Sequence, residues 1–295
     1  MNNHGLTHAR RLRTLCQQPE TLQAPGIYDG LSARLVEAAG FEAAFVSGAC
    51  IAFARFGRPD MGLVTATEVV NTISVIRERT AMPLIVDMDT GFGNALNVQR
   101  TVRTFELAGA SALQMEDQVM PKRCGHMAGK QVIAQAEMVG KIKAALDARY
   151  DDSTMIIART DALGVNGFDD ALQRAEAYLQ AGADALFIEA PQSLEQMQII
   201  GDHFGERVPL VHNLVEGGKS PVDGSYPLQA LGYKIALYPA ALLHLFVPQA
   251  QQLLQHIVHT GSTSDWQGSP LVNLNYLNEL LEAPAMLADS ERYKH

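Results

Sequence analysis

The chain has little of what marks several common classes of protein. Among 295 residues there are three cysteines, Cys16, Cys50 and Cys124. That odd number at wide spacing matches neither a disulfide framework nor a zinc motif, and it fits a reducing, cytoplasmic compartment. No uninterrupted apolar stretch reaches the roughly 18 residues that a membrane-spanning helix needs. The segment Met1–Cys16 carries His4, His8 and several arginines without the apolar centre of a signal peptide. There is also no run of lysine or arginine long enough to track a nucleic-acid backbone or an anionic lipid surface, and 23 basic against 32 acidic residues leave a net charge of -9. No nucleic acid and no membrane are therefore expected as partners. A small anionic substrate stays open, because a few Arg or Lys side chains or a bound divalent cation make a local positive pocket. With 47% hydrophobic and 19% charged residues, the composition is that of a folded chain with a large core.

What is present is a repeated pattern rather than a repeated sequence: a short apolar run ends at a polar residue and is followed by a helical stretch. The predicted strands are Gly26–Tyr28 ending at Asp29, Ala43–Val46 at Ser47, Leu84–Val86 at Asp87, and Ala112–Met115 at Glu116. Four more follow, Met155–Ala158 ending at Arg159, Ala185–Ile188 at Glu189, Leu210–His212 at Asn213, and Lys234–Leu237 at Tyr238. Glycine-containing helix exits precede several of them, at Ala39–Phe41, Ala108–Ala110, Ala181–Ala183 and Leu231–Tyr233. Amphipathic periodicity predicts helices over Ala136–Tyr150 and Asp169–Gln180. Eight strands alternating with helices predict an α/β fold, a (β/α)8 barrel. The alternative, a doubly wound open sheet, lacks its Gly-rich fingerprint, since Asp29-Gly30-Leu31-Ser32-Ala33 offers one glycine. The whole chain 1–295 reads as a single barrel domain, with 240–295 as a C-terminal helical assembly segment broken by the Gly/Ser-rich stretch Thr260–Ser269.

In such a barrel the loops converge at the C-terminal ends of the strands, so the polar residue ending each run is a functional candidate. In Val86-Asp87-Met88-Asp89-Thr90-Gly91-Phe92-Gly93 two carboxylates alternate where a hydrophobic strand meets glycines, and Glu116-Asp117 closes the next strand. Adjacent strands lie about 5 Å apart, so Asp87, Asp89 and Glu116 share one locale in which their repulsion calls for a cation. Hard oxygen donors without a histidine cluster favour Mg2+, with Mn2+ as a substitute, over Zn2+. The bland reading is of surface carboxylates that bind nothing.

The segment from Pro121 to Lys130 follows directly. It sets Cys124 among Lys122, Arg123 and His126, with glycines at 125 and 129. Such flanks lower a thiol's pKa and suit Cys124 to act as acid, base or nucleophile, with Lys122 and His126 as candidate catalytic residues beside it. Arg159 suits either a carboxylate clamp or an ion pair with Glu189. Ser47-Gly48-Ala49 offers a hydroxyl and N–H groups to an anion, or is an ordinary turn. His212 reads as a buried strand histidine and is set aside.

Together these motifs resemble the isocitrate lyase/phosphoenolpyruvate mutase superfamily. Lys122-Arg123-Cys124-Gly125-His126 carries the likeness, supported by Asp87 to Gly93, Glu116-Asp117-Gln118 and Ala158-Arg159-Thr160-Asp161-Ala162, and it extends from Gly26 to Leu280. The resemblance implies a barrel whose last helix is exchanged between the subunits of a homotetramer. It implies Asp87 as the direct Mg2+ ligand, with Asp89 and Glu116 holding metal-bound waters. Ser47, Gly48 and Ala49 then meet the carboxylate of a 2-oxo acid and Asp60 completes the inner shell. Cys124, on a mobile loop, is the general acid. Catalytic Arg159 and Glu189, with Gly125 and Asn213, face the rest of the substrate.

The implied reaction is carbon-carbon cleavage of a 2-hydroxy di- or tricarboxylate into pyruvate or glyoxylate and a second acid. Phe45 and the stretch Asn213 to Pro221 look more like the 2,3-dimethylmalate lyase and petal death protein branch than the methylisocitrate lyases. A 2-alkylmalate is therefore the expected substrate. The alternatives are a 2-methylisocitrate lyase giving pyruvate and succinate, an oxaloacetate hydrolase or decarboxylase, and a non-catalytic metabolite-binding barrel.

Overall fold

A computed structural model describes residues 4–125, 129–218 and 220–294. The strands are β1 (Leu22–Ile27), β2 (Ala44–Val46), β3 (Leu84–Asp87), β4 (Ala112–Glu116), β5 (Met155–Thr160), β6 (Ala185–Ile188), β7 (Val211–Asn213) and β8 (Ile235–Tyr238). The helices are α1 (His4–Cys16), α2 (Gly30–Ala38), α3 (Gly48–Phe56), α4 (Ala66–Arg77), α5 (Ala95–Ala108), α6 (Gln135–Ala148) and α7 (Leu163–Asn166). They continue as α8 (Phe168–Gln180), α9 (Leu194–Phe204), α10 (Ser225–Ala230), α11 (Ala241–Thr260), α12 (Leu274–Leu280) and α13 (Ala283–Arg292). All pairings within the sheet are parallel, in the order β6-β5-β4-β3-β2-β1-β8-β7. A parallel bridge between Leu186 and Leu210 joins its two edges and closes the barrel.

The expected helices hold to within two residues at each end, and the glycines of the four helix exits, Gly40, Gly109, Gly182 and Gly232, take positive φ of 88°, 109°, 104° and 81°. The first strand departs from expectation: it starts at Leu22 and ends before Tyr28. Leu22–Pro25 pairs with β8, and only Gly26 and Ile27 pair with β2. The four residues missed at its start, Pro25 among them, are thus held by β8 rather than by β2.

Every strand is apolar on both faces, yet the faces have different partners. Val46, Val86, Leu113, Ile156, Leu186 and Ala236 point outward into the layer between barrel and helices. Phe45, Ile85, Ala112, Ile157, Phe187 and Val211 point inward. Helix α1 lays Leu12 and Cys16 against this inner cluster and plugs the N-terminal end of the barrel. At the other end of the sequence α11 buries only Leu243, while Leu245, Phe246, Val247, Leu254 and Val258 are exposed. Among the described residues no helix is long and apolar enough to cross a membrane.

Candidate active site

The strand period of two fixes which side chains reach the open end of the barrel. Two residues beyond each inward apolar residue lies a polar one: Ser47 after Phe45, Asp87 after Ile85, Arg159 after Ile157, Glu189 after Phe187 and Asn213 after Val211. On β4 the sequence Ala112, Gln114, Glu116 climbs the same wall. The predicted rim is thus the top inward layer of the barrel, walled by its core.

In that layer the carboxylates gather around an ammonium. Lys122 Nζ lies 2.6 Å from Asp60 Oδ1 and 2.7 Å from Asp89 Oδ1. Asp87 and Glu116 also act on it electrostatically. Burial opposes the Lys122 charge, but the surrounding carboxylates hold the ammonium well above the ordinary lysine range. Lys122, which the sequence reading set beside Cys124, pairs in the structure with Asp60 and Asp89. Asp87 is half-buried, and its Oδ1 accepts the Asp89 N–H at 3.2 Å. Asp89 holds a left-handed backbone with φ 46°, a conformation of about 1–3 kcal/mol strain that clusters at functional sites. Burial, helped by Asp87 and Asp60 and opposed by Lys122, pushes the Asp89 carboxyl up to about 7. Glu116 is driven well above the carboxylate range by burial, which Arg159 only partly offsets.

Arg159 makes its closest bonds to a residue that the sequence reading did not pair with it. Its principal partner is Asp161, bonded in a fork by Nε at 2.9 Å and NH2 at 3.1 Å. Glu116 Oε2 lies 3.2 Å from Nε and Glu189 Oε2 lies 3.6 Å from NH1. Asn213 donates to Glu189 Oε2 at 3.3 Å, and its buried Oδ1 has no hydrogen-bond partner among the described residues.

Across the mouth, Ser47 caps α3 by accepting the Cys50 N–H at 3.3 Å. The first turn of α3, which includes Gly48 and Ala49, starts beside Asp87, with N–H groups that have no partner within the helix. A methyl group on Gly48 would lie 2.9 Å from Asp87 Oδ2, so only glycine lets the helix start so close to that carboxylate. Gly125 makes a second such approach: a methyl there would meet Arg159 NH2 at 2.4 Å and Glu189 Oε1 at 2.7 Å. Half-buried Cys124 is thus set at the Arg159–Glu189 side of the site. His126 lies outside the described residues. The other two thiols are far less reactive, since burial raises both Cys16 and Cys50 to about 11.

Several supporting residues had no role in the sequence reading. Gln118 clamps the Arg123 backbone, donating to its carbonyl at 2.8 Å and accepting its N–H at 3.0 Å. Asp117, fully buried behind the barrel wall, accepts from Thr160 and Tyr178 hydroxyls at 2.8 Å and from the Asp161 N–H at 2.9 Å. Lys141 on α6 donates to the Thr90 carbonyl at 3.2 Å and braces the turn after β3. Only the position of Asp117 and Gln118 just after Glu116 hinted at any of this. His212 is buried, with Nε2 2.7 Å from Ser220 Oγ and its ring against Tyr233, in keeping with a strand histidine.

The donor set suits a divalent cation. Asp60, Asp87, Asp89 and Glu116 act on the ammonium of Lys122, and Glu116 Oε1 is buried without a hydrogen-bond partner among the described residues. Among the described residues no three His, Cys, Asp or Glu side chains form a preassembled metal cluster.

A parallel (β/α)8 barrel with a helix N-terminus beside an acidic pocket and a thiol-bearing segment next to Arg159 and Glu189 defines the class of protein. A model of phosphoenolpyruvate phosphomutase matches residues 12–258. The chain is 41% identical over 275 residues to the 2,3-dimethylmalate lyase of Eubacterium barkeri, covering 92% of this chain and 93% of that one. It is 44% identical over 256 residues to the 2-methylisocitrate lyase of Aeropyrum pernix, covering 86% and 81%. A solved phosphonopyruvate hydrolase complex with oxalate and Mg++ matches with a TM-score of 0.87 and 29% identity over 98% of this chain and 99% of the other. The chain belongs to the phosphoenolpyruvate phosphomutase family, within the PEP mutase/isocitrate lyase superfamily.

Proposed function

We propose that the protein is a divalent-cation-dependent carbon-carbon lyase that cleaves a 2-alkylmalate such as 2,3-dimethylmalate into pyruvate and a second carboxylic acid. The observation that carries this reading is the approach of the Cys124–Gly125 backbone to Arg159 and Glu189, opposite the acidic pocket and the α3 N-terminus. Asp87, with Asp89 and Glu116 around it, is the place for Mg2+, which when bound supplies charge stabilisation to oxygen. Ser47, Gly48 and Ala49 hold the carboxylate next to the hydroxyl-bearing carbon. As the hydroxyl passes its proton to a carboxylate of the acidic pocket, the C2–C3 bond breaks, its electron pair moves onto C3, and C2 becomes the carbonyl carbon of pyruvate. Arg159 and Asn213 hold the carboxylate that stabilises C3, and the Cys124 thiol gives C3 its proton. The segment over the pocket keeps water from competing for that step.

The 2-methylisocitrate lyase of Aeropyrum pernix supports a second substrate reading, cleavage of 2-methylisocitrate to pyruvate and succinate. One panel decides: 2,3-dimethylmalate, citramalate, 2-methylisocitrate, isocitrate and oxaloacetate, each with Mg2+ and with a chelator. Pyruvate from 2,3-dimethylmalate is the expected result. Oxalate plus acetate from oxaloacetate as the main activity would replace cleavage by hydrolysis.

The exposed apolar face of α11 and the helices after it support assembly into a homotetramer through 240–295, the barrel being one domain. Three widely spaced cysteines, two of them buried, support a cytoplasmic setting.

A further inference from the structure

The geometry points to Lys130 as a positioning residue that couples the Cys124 segment to the Arg159 fork. This rests on the reading of Cys124 as the proton donor. Lys130 Nζ donates to the Gly125 carbonyl at 2.5 Å and to Asp161 Oδ1 at 2.7 Å. Its side chain is 7% exposed and that of Asp161 is 0% exposed, so neither charge has water as an alternative partner. Asp161 is itself immobile, with its carboxylate forked onto Arg159 and its N–H on Asp117 Oδ1. The ammonium therefore ties the backbone carbonyl next to Cys124 to the same carboxylate that aims Arg159.

Gly125 completes the link from the other side. Its backbone rests on Arg159 and Glu189 so closely that a methyl group would collide with both. Gln118 holds Arg123 but touches nothing on Arg159, so it fixes the segment's near end without linking it to the substrate clamp. Lys130 with Asp161 joins thiol placement to guanidinium placement by hydrogen bonds, on top of the close approach of Gly125. Proton delivery to a carbon held by Arg159 needs both groups in register, and a displacement of about 1 Å reduces such a step by about 100-fold.

The test compares the full-length wild type with Lys130→Met, Lys130→Arg and Gly125→Ala. Three quantities are read: kcat and KM on 2,3-dimethylmalate, the rate at which iodoacetamide alkylates Cys124 in the resting protein (followed by peptide mass), and Tm. Lys130→Met is expected to lower kcat by about 10- to 100-fold with KM within about threefold. Cys124 alkylation should accelerate severalfold, Tm should stay near wild type, and Lys130→Arg should recover much of kcat. Gly125→Ala should reproduce the loss by displacing the same backbone. An alkylation rate unchanged in Lys130→Met overturns the inference, as does a parallel fall of kcat and Tm that Lys130→Arg does not relieve. Alkylation needs no substrate, so it reports on Lys130 even if the wild type cleaves none of the panel, an outcome that would sink the lyase reading alone.

Discussion

The two ends of the barrel use buried charge in opposite ways. At the N-terminal end Asp184 is saturated: Arg13 reaches Oδ1 at 2.7 Å, while Arg149 and the Ile156 N–H reach Oδ2 at 2.9 Å. Beside it the plug of Leu12 and Cys16 seals the core. At the C-terminal end burial pushes Glu116 and Asp89 toward protonation, Glu116 Oε1 and Asn213 Oδ1 lack hydrogen-bond partners among the described residues, and Asp89 sits in a left-handed backbone. One end joins its charged groups to one another, Arg13 and Arg149 on Asp184, and stabilises the fold. The other leaves them poised for something that is not protein, at a cost in stability that the rest of the barrel offsets.

If that contrast is right, changes at the open end strike turnover and changes at the sealed end strike stability. The largest effect is expected for Cys124→Ser, which should lower kcat by about 100-fold or more while pyruvate and Mg2+ still bind and Tm holds. Wild-type-like turnover would remove Cys124 from the acid role. At the sealed end Leu12→Ala should destabilise by about 2–5 kcal/mol in urea titrations, with kcat/KM of the remaining folded protein unchanged.

The acidic pocket gives an intermediate test. Mg2+ at about 100 times its Kd should stabilise the wild type by about 2.7 kcal/mol, seen as a rise in Tm, and Asp87→Ala should lose that rise. An equal rise in the variant would move the cation elsewhere. The smallest effect concerns acid. Burial works against the Asp161 charge, but Arg159 and Lys130 outweigh it and hold its carboxyl down at about 2. With an unfolded value near 3.9, this pairing contributes about 2–3 kcal/mol that is present above about pH 4 and lost as pH falls toward 2. Asp161→Asn should therefore be less stable at neutral pH and show a flatter acid limb in urea midpoints.

Much of the fold was legible because a parallel strand buried on both faces needs a continuous apolar run, and each run here stops at a polar residue. Seven strands fell within a residue or two of their expected places. The first did not, because its first four residues are held by β8, which comes from the far end of the chain. The site was legible in part for the same reason: a polar residue two positions past an inward apolar one must enter the pocket layer. The partners of those residues were not legible. Lys122 is two positions from Cys124 in sequence but belongs to Asp60 and Asp89, and Lys130 spans 31 positions to reach Asp161.

The sequence by itself thus determined the barrel, the acidic pair at Asp87 and Asp89, and Cys124 as the thiol among basic neighbours, because periodicity and local composition are properties of adjacent residues. Its scarcity of cysteine already left Cys124 conspicuous, and burial of the other two thiols sharpened that. Only the tertiary structure decided which charge neutralises which, and that the Arg159 fork closes on Asp161. Pairing between buried ions depends on distances of a few ångströms between segments far apart in the chain, and no local pattern encodes them.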